Sequence, residues 1–79
     1  MIQLLNAFLL INTKPGRGRE VVEKLLEHEE FEEVRQVYGD YDIFGKVSIS
    51  SMDELNKFLL ETIRNMPDVE LSNTLVQMG

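Results

Sequence analysis

The amino-acid sequence predicts an α+β fold with four strands and two helices. Three observations support this prediction. Apolar runs of strand type lie near both ends of the chain, two stretches carry apolar residues at helical spacing, and Gly, Pro and Asp cluster between these segments. The chain has 79 residues, too few for a second folded unit, so residues 1–79 are predicted to form a single domain.

The first half of the chain alternates between strand and helix patterns. Residues Ile2–Thr13 are rich in Leu, Ile and Phe and stop at a Lys-Pro-Gly turn, which is typical of a strand. A helix is predicted from Arg17 to about Glu30, because the apolar side chains there fall on one helical face. A short strand, Val34–Tyr38, follows.

The second half begins with a hairpin and ends with a strand. Residues 39–41 (Gly-Asp-Tyr) have turn chemistry, so the return strand is predicted at Ile43–Ile49. Residues 51–54 (Ser-Met-Asp-Glu) form a capping box, in which a serine starts a helix and a glutamate follows three residues later. That helix is predicted to stop at Pro67, and Val69–Met78 is predicted to be the last strand.

The resulting order, βαββαβ, is typical of a ferredoxin-like fold, a four-stranded antiparallel sheet with two helices. Right-handed crossovers place both helices on the same face of the sheet. The other face would then meet water, yet the first strand is apolar on both of its sides. The apolar residues at even positions are Ile2, Leu4, Phe8 and Leu10, and those at odd positions are Leu5, Ala7, Leu9 and Ile11.

A second subunit that packs sheet against sheet would cover this second face. The size of the chain supports the same prediction. A domain of 79 residues without cysteine has no disulfide to stabilise it, so burial against another copy is the expected substitute. The alternative is that the first strand is only locally apolar.

The charge and composition of the chain argue against several functions. With 14 acidic and 8 basic residues the net charge is −6, and the only basic cluster is Lys14, Arg17 and Arg19, so direct DNA binding is not expected. One histidine and no cysteine leave almost no zinc ligand set, and no metal or other cofactor is predicted. Residues 2–11 are too short to cross a bilayer and lack a signal-peptide pattern, so we expect a cytoplasmic protein.

The most specific local motif is Val-Tyr-Gly-Asp-Tyr-Asp-Ile at residues 37–43, between two predicted strands. Further motifs accompany it in a fixed order: Lys14-Pro15-Gly16, Leu55 in a Ser-x-Asp-Glu-Leu helix start, Met66-Pro67-Asp68-Val69, and Ser72-x-Thr74. Together they resemble the effector-binding domain of the leucine-responsive regulatory protein family (Lrp/AsnC), often called the RAM domain. The resemblance extends from about Ala7 to Met78.

The resemblance implies properties that composition alone does not. Domains of this family form sheet-to-sheet dimers that assemble into rings, commonly octamers, and bind free amino acids in clefts between dimers. Full-length members carry a helix-turn-helix domain before this module. Here the resemblance starts within a few residues of Met1, so we expect a stand-alone domain that acts with full-length Lrp/AsnC regulators and does not itself bind DNA.

The loop and the last strand offer chemistry suited to a free amino acid, which carries an ammonium and a carboxylate on one carbon. Asp40 and Asp42 are acceptors for the ammonium, and Gly39 lets backbone N–H groups approach an anion closely. Ser72 and Thr74 lie two residues apart on a strand, so their hydroxyl groups share one face.

Two tyrosines in the same loop could form walls of a pocket, because each combines an apolar ring with a polar tip. The resemblance implies an effector site made of Tyr38, Gly39, Asp40, Tyr41, Asp42, Ser72 and Thr74. In the structural alternative, the glycine and the aspartates only make the hairpin turn, and the two hydroxyls only suit an exposed strand.

Two positions depart from the family pattern, and a third has two interpretations. The family usually has Gly where Asp68 stands, which alters the turn before the last strand. It favours Thr where Ser72 stands, a milder change that keeps the hydroxyl. Gly45, inside a predicted strand, marks either a close backbone approach at a subunit contact or a bulge.

Three functions remain compatible with the sequence. The first is a non-catalytic sensor, an amino-acid-binding oligomer that modulates transcription. The second is a small enzyme of the dimeric α+β barrel type, such as a monooxygenase or isomerase, for which the one histidine, His28, is poorly placed. The third is a purely structural assembly module without a ligand.

Overall fold

Four strands and two helices follow one another in the predicted order, which confirms the α+β, ferredoxin-like fold. The computed structural model of the protein describes residues 4–79. Ile2, which the sequence places at the start of the first strand, therefore lies outside the described residues. The elements are β1 (Leu5–Thr13), α1 (Gly18–Leu25), β2 (Phe31–Gln36), β3 (Ile43–Ile49), α2 (Met52–Phe58) and β4 (Val69–Val76).

The strands form one antiparallel sheet in the order β2-β3-β1-β4. β1 pairs with β3 on one side and with β4 on the other, so that Ile11 lies between Ile43 and Ser72. Because side chains alternate along a strand, the odd-numbered residues of β1 and β3 share one face with the even-numbered residues of β4. This face carries the helices, and the opposite face is called the open face below.

The core lies between the sheet and the helices. β1 and β3 alternate between buried and half-buried side chains along most of their length, which is the pattern of strands covered on one face. The buried apolar residues are Ala7, Leu9, Ile11, Val21, Leu25, Phe31, Ile43, Val47, Ile49, Leu55, Phe58 and Ile63.

α1 is shorter than the sequence predicts, because it ends at Leu25 instead of near Glu30. The chain continues in tight turns, in which the N–H of Glu27 donates to the Lys24 carbonyl at 3.2 Å and the N–H of His28 to the Leu25 carbonyl at 3.0 Å. The acidic side chains that follow are unfavourable at the negative end of a helix, which accounts for the early stop.

β2 is displaced towards the N-terminus from its predicted position, Val34–Tyr38. The strand starts at Phe31, whose ring is buried in the core, and a bulge between Phe31 and Glu33 maintains the pairing with β3. β3 has the predicted bounds, and β4 ends at Val76, two residues before the predicted end.

α2 begins where the capping box predicts and changes its winding towards its end. Residues Leu59–Ile63 form a π-helical turn, and the N–H of Arg64 donates to the Leu59 carbonyl at 3.0 Å. A π-helical turn has a wider winding than an α-helical turn and places residues five apart on nearly the same side. Phe58 and Ile63, five residues apart, are both buried in the core.

The open face has an apolar half and a polar half. On the apolar half the rings of Phe8 and Phe44 stack with their centroids 6.0 Å apart. On the polar half, towards β2, the Ser48 hydroxyl donates to Oδ1 of Asn6 at 2.8 Å. We call the apolar half the open-face patch; it consists of Phe8, Leu10, Phe44, Leu71 and Leu75.

Gly45 lies on the helix side of β3, directly under an aromatic ring. A Cβ atom at this position would lie 2.8 Å from Cε1 of Phe31, closer than two carbon atoms can approach without strain. A close approach therefore explains this glycine, and the approaching group is a side chain of the same chain.

Candidate functional site

The loop of residues 37–42 joins β2 to β3 and is fixed by backbone hydrogen bonds. The N–H of Val37 donates to the Asp42 carbonyl at 2.9 Å, and the N–H of Asp42 donates to the Ile11 carbonyl at 2.9 Å. Gly39 has a φ of 137°, a conformation that residues with a side chain rarely adopt. The tip of the loop is exposed, and its residues are Tyr38, Gly39 and Asp40.

Asp42 points from this loop towards β1. Its Oδ2 atom accepts a hydrogen bond from the N–H of Thr13 at 2.9 Å, and the residue is half-buried. The other carboxylate oxygen, Oδ1, accepts no hydrogen bond from residues 4–79. Asp42 therefore anchors the loop and still has an oxygen available for a ligand.

Tyr41 interacts with a different strand from Asp42. Its hydroxyl accepts a hydrogen bond from Nδ2 of Asn73 at 2.7 Å, and Asn73 belongs to the open face of β4. The loop therefore contacts β1 through Asp42 and β4 through Tyr41.

A cavity of about 280 Å³ lies beside Asp42, between the loop, the end of β1 and the start of α1. We call it the Asp42 cavity. One carboxylate, two cationic side chains, an amide and a hydroxyl line it, so it can bind both ends of a zwitterion. The residues that bear these groups are Asp42, Lys14, Arg19, Gln36 and Thr13.

Asp68 helps to position one wall of this cavity. Its carbonyl accepts a hydrogen bond from the N–H of Lys14 at 2.9 Å, and its Oδ2 accepts one from Nε of Arg17 at 3.3 Å. The aspartate that departs from the family pattern therefore connects the turn before β4 to the loop between β1 and α1.

Ser72 and Thr74 are half-buried on the helix side of β4, and their side chains share one face, as their spacing predicts. They do not line the Asp42 cavity. In the sheet β1 lies between β4, which carries Ser72 and Thr74, and β3, which follows the Asp42 loop. Ser72 lines a different cavity of about 380 Å³, together with Ile63 and Val69. Within one chain, the predicted site residues are therefore divided between the two sides of β1.

Sequence reasoning missed Thr13, Gln36 and Lys14 as lining residues of the Asp42 cavity. Lys14 stood out in the sequence only as part of a turn motif and of the basic cluster. Thr13 had a detectable signal, because it is the one polar residue at the inward, odd-numbered positions of β1. Gln36 had none, since only the fold brings the end of β2 next to the start of α1.

Three further features concern the described range of the chain, residues 4–79. No group of three or more His, Asp or Glu side chains in this range is arranged to hold a metal ion. The His28 ring packs edge-on against Phe58, with the ring centroids 5.9 Å apart. None of the helices in this range has the length and apolar character needed to span a bilayer.

Comparison with known protein families assigns the chain to one of them. The family model described as "Lrp/AsnC ligand binding domain" matches residues 6–79. The chain belongs to this family. The match covers every element that surrounds the Asp42 cavity, and the Lrp/AsnC assignment confirms the resemblance seen in the motifs of the loop and the last strand.

The relatives of this Lrp/AsnC domain are named as transcription regulators. The "HTH-type transcriptional regulator FL11" of Pyrococcus abyssi is 40% identical over 70 residues, which cover 89% of this chain and 46% of the relative. The chain therefore spans about half the length of such curated relatives.

Solved structures confirm the Lrp/AsnC fold. The crystal structure of FFRP-DM1 is 39% identical, with a TM-score of 0.91 over 94% of this chain and 99% of the other. A transcriptional regulator of Neisseria meningitidis, solved as a complex with L-Met, shares the fold with a TM-score of 0.87 at 17% identity. That match covers 95% of this chain and 50% of the regulator.

Proposed function

We propose that this chain is a non-catalytic module that binds a free amino acid and modulates transcription as an oligomer. The observation that carries the proposal is the Asp42 cavity, which places a carboxylate with an available oxygen opposite basic and neutral donors. The family model, a ligand-binding domain, supports a binding role, and the named relatives are regulators.

The α-ammonium of the amino acid would bind to Asp42, because a carboxylate is the strongest acceptor for a cation. Asp40, Gly39 and the two tyrosines would border the entrance from the exposed side of the loop. Ser72 and Thr74 lie beyond β1 in the same chain, so we propose that they reach a ligand bound to a neighbouring copy. The complete site would then belong to the oligomer.

The open-face patch supports a sheet-to-sheet dimer. Leu71 and Leu75 are each about half exposed and lie on the same sheet face as the two stacked rings, so a chain of 79 residues presents several large apolar side chains on one face. A second copy would cover this patch through the same surface on both partners. Such dimers could assemble further into a ring, such as an octamer.

The regulatory partner would be a DNA-binding relative. The P. abyssi regulator matches this chain over only 46% of its own length. We propose that this chain associates with full-length Lrp/AsnC regulators through the surfaces they share, and that it acts in the cytoplasm, where such regulators meet DNA.

A thermal-unfolding screen with each of the twenty amino acids tests the proposal. A ligand at 100 times its Kd should stabilise the protein by about 2.7 kcal/mol, which raises Tm by about 10–20 °C in a domain of this size. Asp42→Asn should abolish this shift, because it removes the charge and retains an oxygen for the Thr13 N–H. Glu29→Gln, the same change at an exposed position, is the matched control and should leave the shift intact.

Two results would contradict the proposal. If none of the twenty amino acids raises Tm, the chain is not an amino-acid sensor, and the assembly module without a ligand becomes the better explanation. If Asp42→Asn responds like the wild type, the ligand binds elsewhere.

A further inference from the structure

The N-terminus of α1 borders the Asp42 cavity through Gly18 and Arg19 and leaves its first N–H groups unpaired. Val21 is the first residue whose N–H bonds back into the helix, to the Arg17 carbonyl at 3.1 Å, and no side chain caps the helix start. The N–H groups of the three residues before it have no hydrogen-bond partner in the described part of the chain. Together with the helix dipole they form a positive end that favours an anion.

Thr13 supplies an independent observation at the same place. The residue is only 8% exposed and lines the cavity, and its hydroxyl makes no hydrogen bond to any of residues 4–79. The Thr13 hydroxyl lies 3.8 Å from the position that a Cβ atom of Gly18 would occupy, at the first turn of α1. None of the side-chain polar atoms in residues 4–79 is both buried and unpaired, so this hydroxyl, on a residue that is otherwise buried, keeps access to solvent and is available to bond a group that enters the cavity.

Gly18 and Gln36 also line the Asp42 cavity, beside the start of α1. A Cβ atom on Gly18 would lie 2.8 Å from Nε2 of Gln36, so the absence of a side chain lets the amide rest over the helix start. Lys14 is exposed at the cavity mouth and forms no salt bridge within residues 4–79, whereas Arg19 pairs weakly with Glu23 at 3.6 Å.

We propose that the N-terminus of α1, Thr13, Lys14 and Gln36 form a subsite for an oxyanion. If the proposed function holds, this oxyanion is the α-carboxylate of the bound amino acid, and the ligand lies between α1 and Asp42 with its ammonium on the aspartate. The same donors would also accept a free phosphate or carboxylate, but Asp42 would repel such an anion and weaken its binding.

Amide NMR on the ¹⁵N-labelled full chain locates the bound group. Each of the twenty amino acids is titrated separately, and sodium acetate and sodium phosphate are titrated against a sodium chloride control. The amide signals of Gly18 and Arg19 should move with the amino acid that raises Tm. They should move more weakly with acetate or phosphate, and sodium chloride should leave them in place.

Two variants test the side chains by isothermal titration with the amino acid that gives the largest rise in Tm. Thr13→Val removes the hydroxyl at nearly constant volume and should raise Kd by about 10- to 100-fold, the usual cost of losing a hydrogen bond to a charged group. Thr62→Val, a half-buried threonine outside the cavity, is the matched control. Lys14 is exposed, so Lys14→Gln should retain the fold even if Thr13→Val does not. It should raise Kd by a smaller factor than Thr13→Val does.

The outcomes separate this inference from the proposed function. If an amino acid raises Tm but the Gly18 and Arg19 signals stay in place, the subsite is wrong and the sensor stands. If no amino acid binds while acetate or phosphate moves those signals, the sensor is wrong and the oxyanion subsite stands. If no probe moves them, the subsite is overturned.

Discussion

At Gly45 the core leaves no space for a side chain on β3. The position that a Cβ atom would take is 2.8 Å from Cε1 of Phe31 and 3.3 Å from its Cδ1, and the Phe31 ring is buried. The ring therefore uses the glycine backbone as part of its packing surface. The sequence could show that Gly45 interrupts a strand, but the contact depends on β2 starting three residues earlier than predicted.

Gly45→Ala is expected to destabilise the protein by about 1–3 kcal/mol, the usual cost of forcing a methyl group into a packed core. Urea unfolding monitored by circular dichroism measures the change. The smaller side chain of Phe31→Leu should relieve the clash, so Gly45→Ala should cost clearly less in that background. Equal costs in the two backgrounds would show that the Phe31 ring is not the cause.

Asp42 has a structural role, and we propose that it also has a binding role, each carried by a different carboxylate oxygen. Oδ2 accepts the Thr13 N–H, Oδ1 accepts no hydrogen bond from residues 4–79, and the residue lines the cavity. A residue with both roles cannot be tested by alanine alone, since that change also leaves a buried N–H unpaired. The substitution to asparagine separates the roles because it retains one acceptor.

At the scale of elements, the start of α2 depends on one side chain. Oγ of Ser51 accepts a hydrogen bond from the N–H of Glu54 at 3.1 Å, as the capping box predicts. Ser51→Ala should lower stability by about 1 kcal/mol. The neighbouring Ser50→Ala is the matched control, because Ser50 is exposed outside the helix and should cost little. A similar loss in both variants, measured by thermal unfolding, would argue against the cap.

Elements with strong local signals were predictable from the sequence. β3 has the predicted bounds, and the cap of α2 is where the motif places it. The shift of β2 was not predictable, because it depends on Phe31 packing against β3. The early end of α1 had a signal in the acidic residues that follow Leu25. The π-helical turn had a partial signal, since the five-residue interval between Phe58 and Ile63 does not suit a regular α-helical face.

The candidate site likewise has a part that the sequence predicted and a part that it could not predict. The loop of residues 37–42 was recognisable because its turn chemistry and its motif are both local in sequence. The Asp42 cavity was not, because its lining comes from three separate elements and includes Thr13 and Gln36, which carry no motif. Ser72 and Thr74 share a face as predicted, but the position of β4 across the sheet separates them from Asp42 in one chain.

At the scale of the whole molecule, the sheet has one face covered by helices and one face left open. β1 contributes apolar side chains to both faces, and its outward residues join Phe44 and the leucines of β4 in the open-face patch. A chain of 79 residues buries a small core, so covering this patch would add appreciably to its stability. The same contact would bring two copies of the loop and of β4 into one assembly.

Leu75→Lys tests this dimer against a matched control. Leu75 is 56% exposed on the open-face patch, and Leu60 is 54% exposed on the π-helical turn, away from the sheet. In a two-fold interface, Leu75→Lys introduces a charge from each partner into an apolar contact, which should shift the protein from dimer to monomer in analytical ultracentrifugation. Its Tm should also lose the dependence on protein concentration that dimerisation confers. Leu60→Lys should leave both properties unchanged, and dissociation by both variants, or by neither, would contradict an interface on the open face.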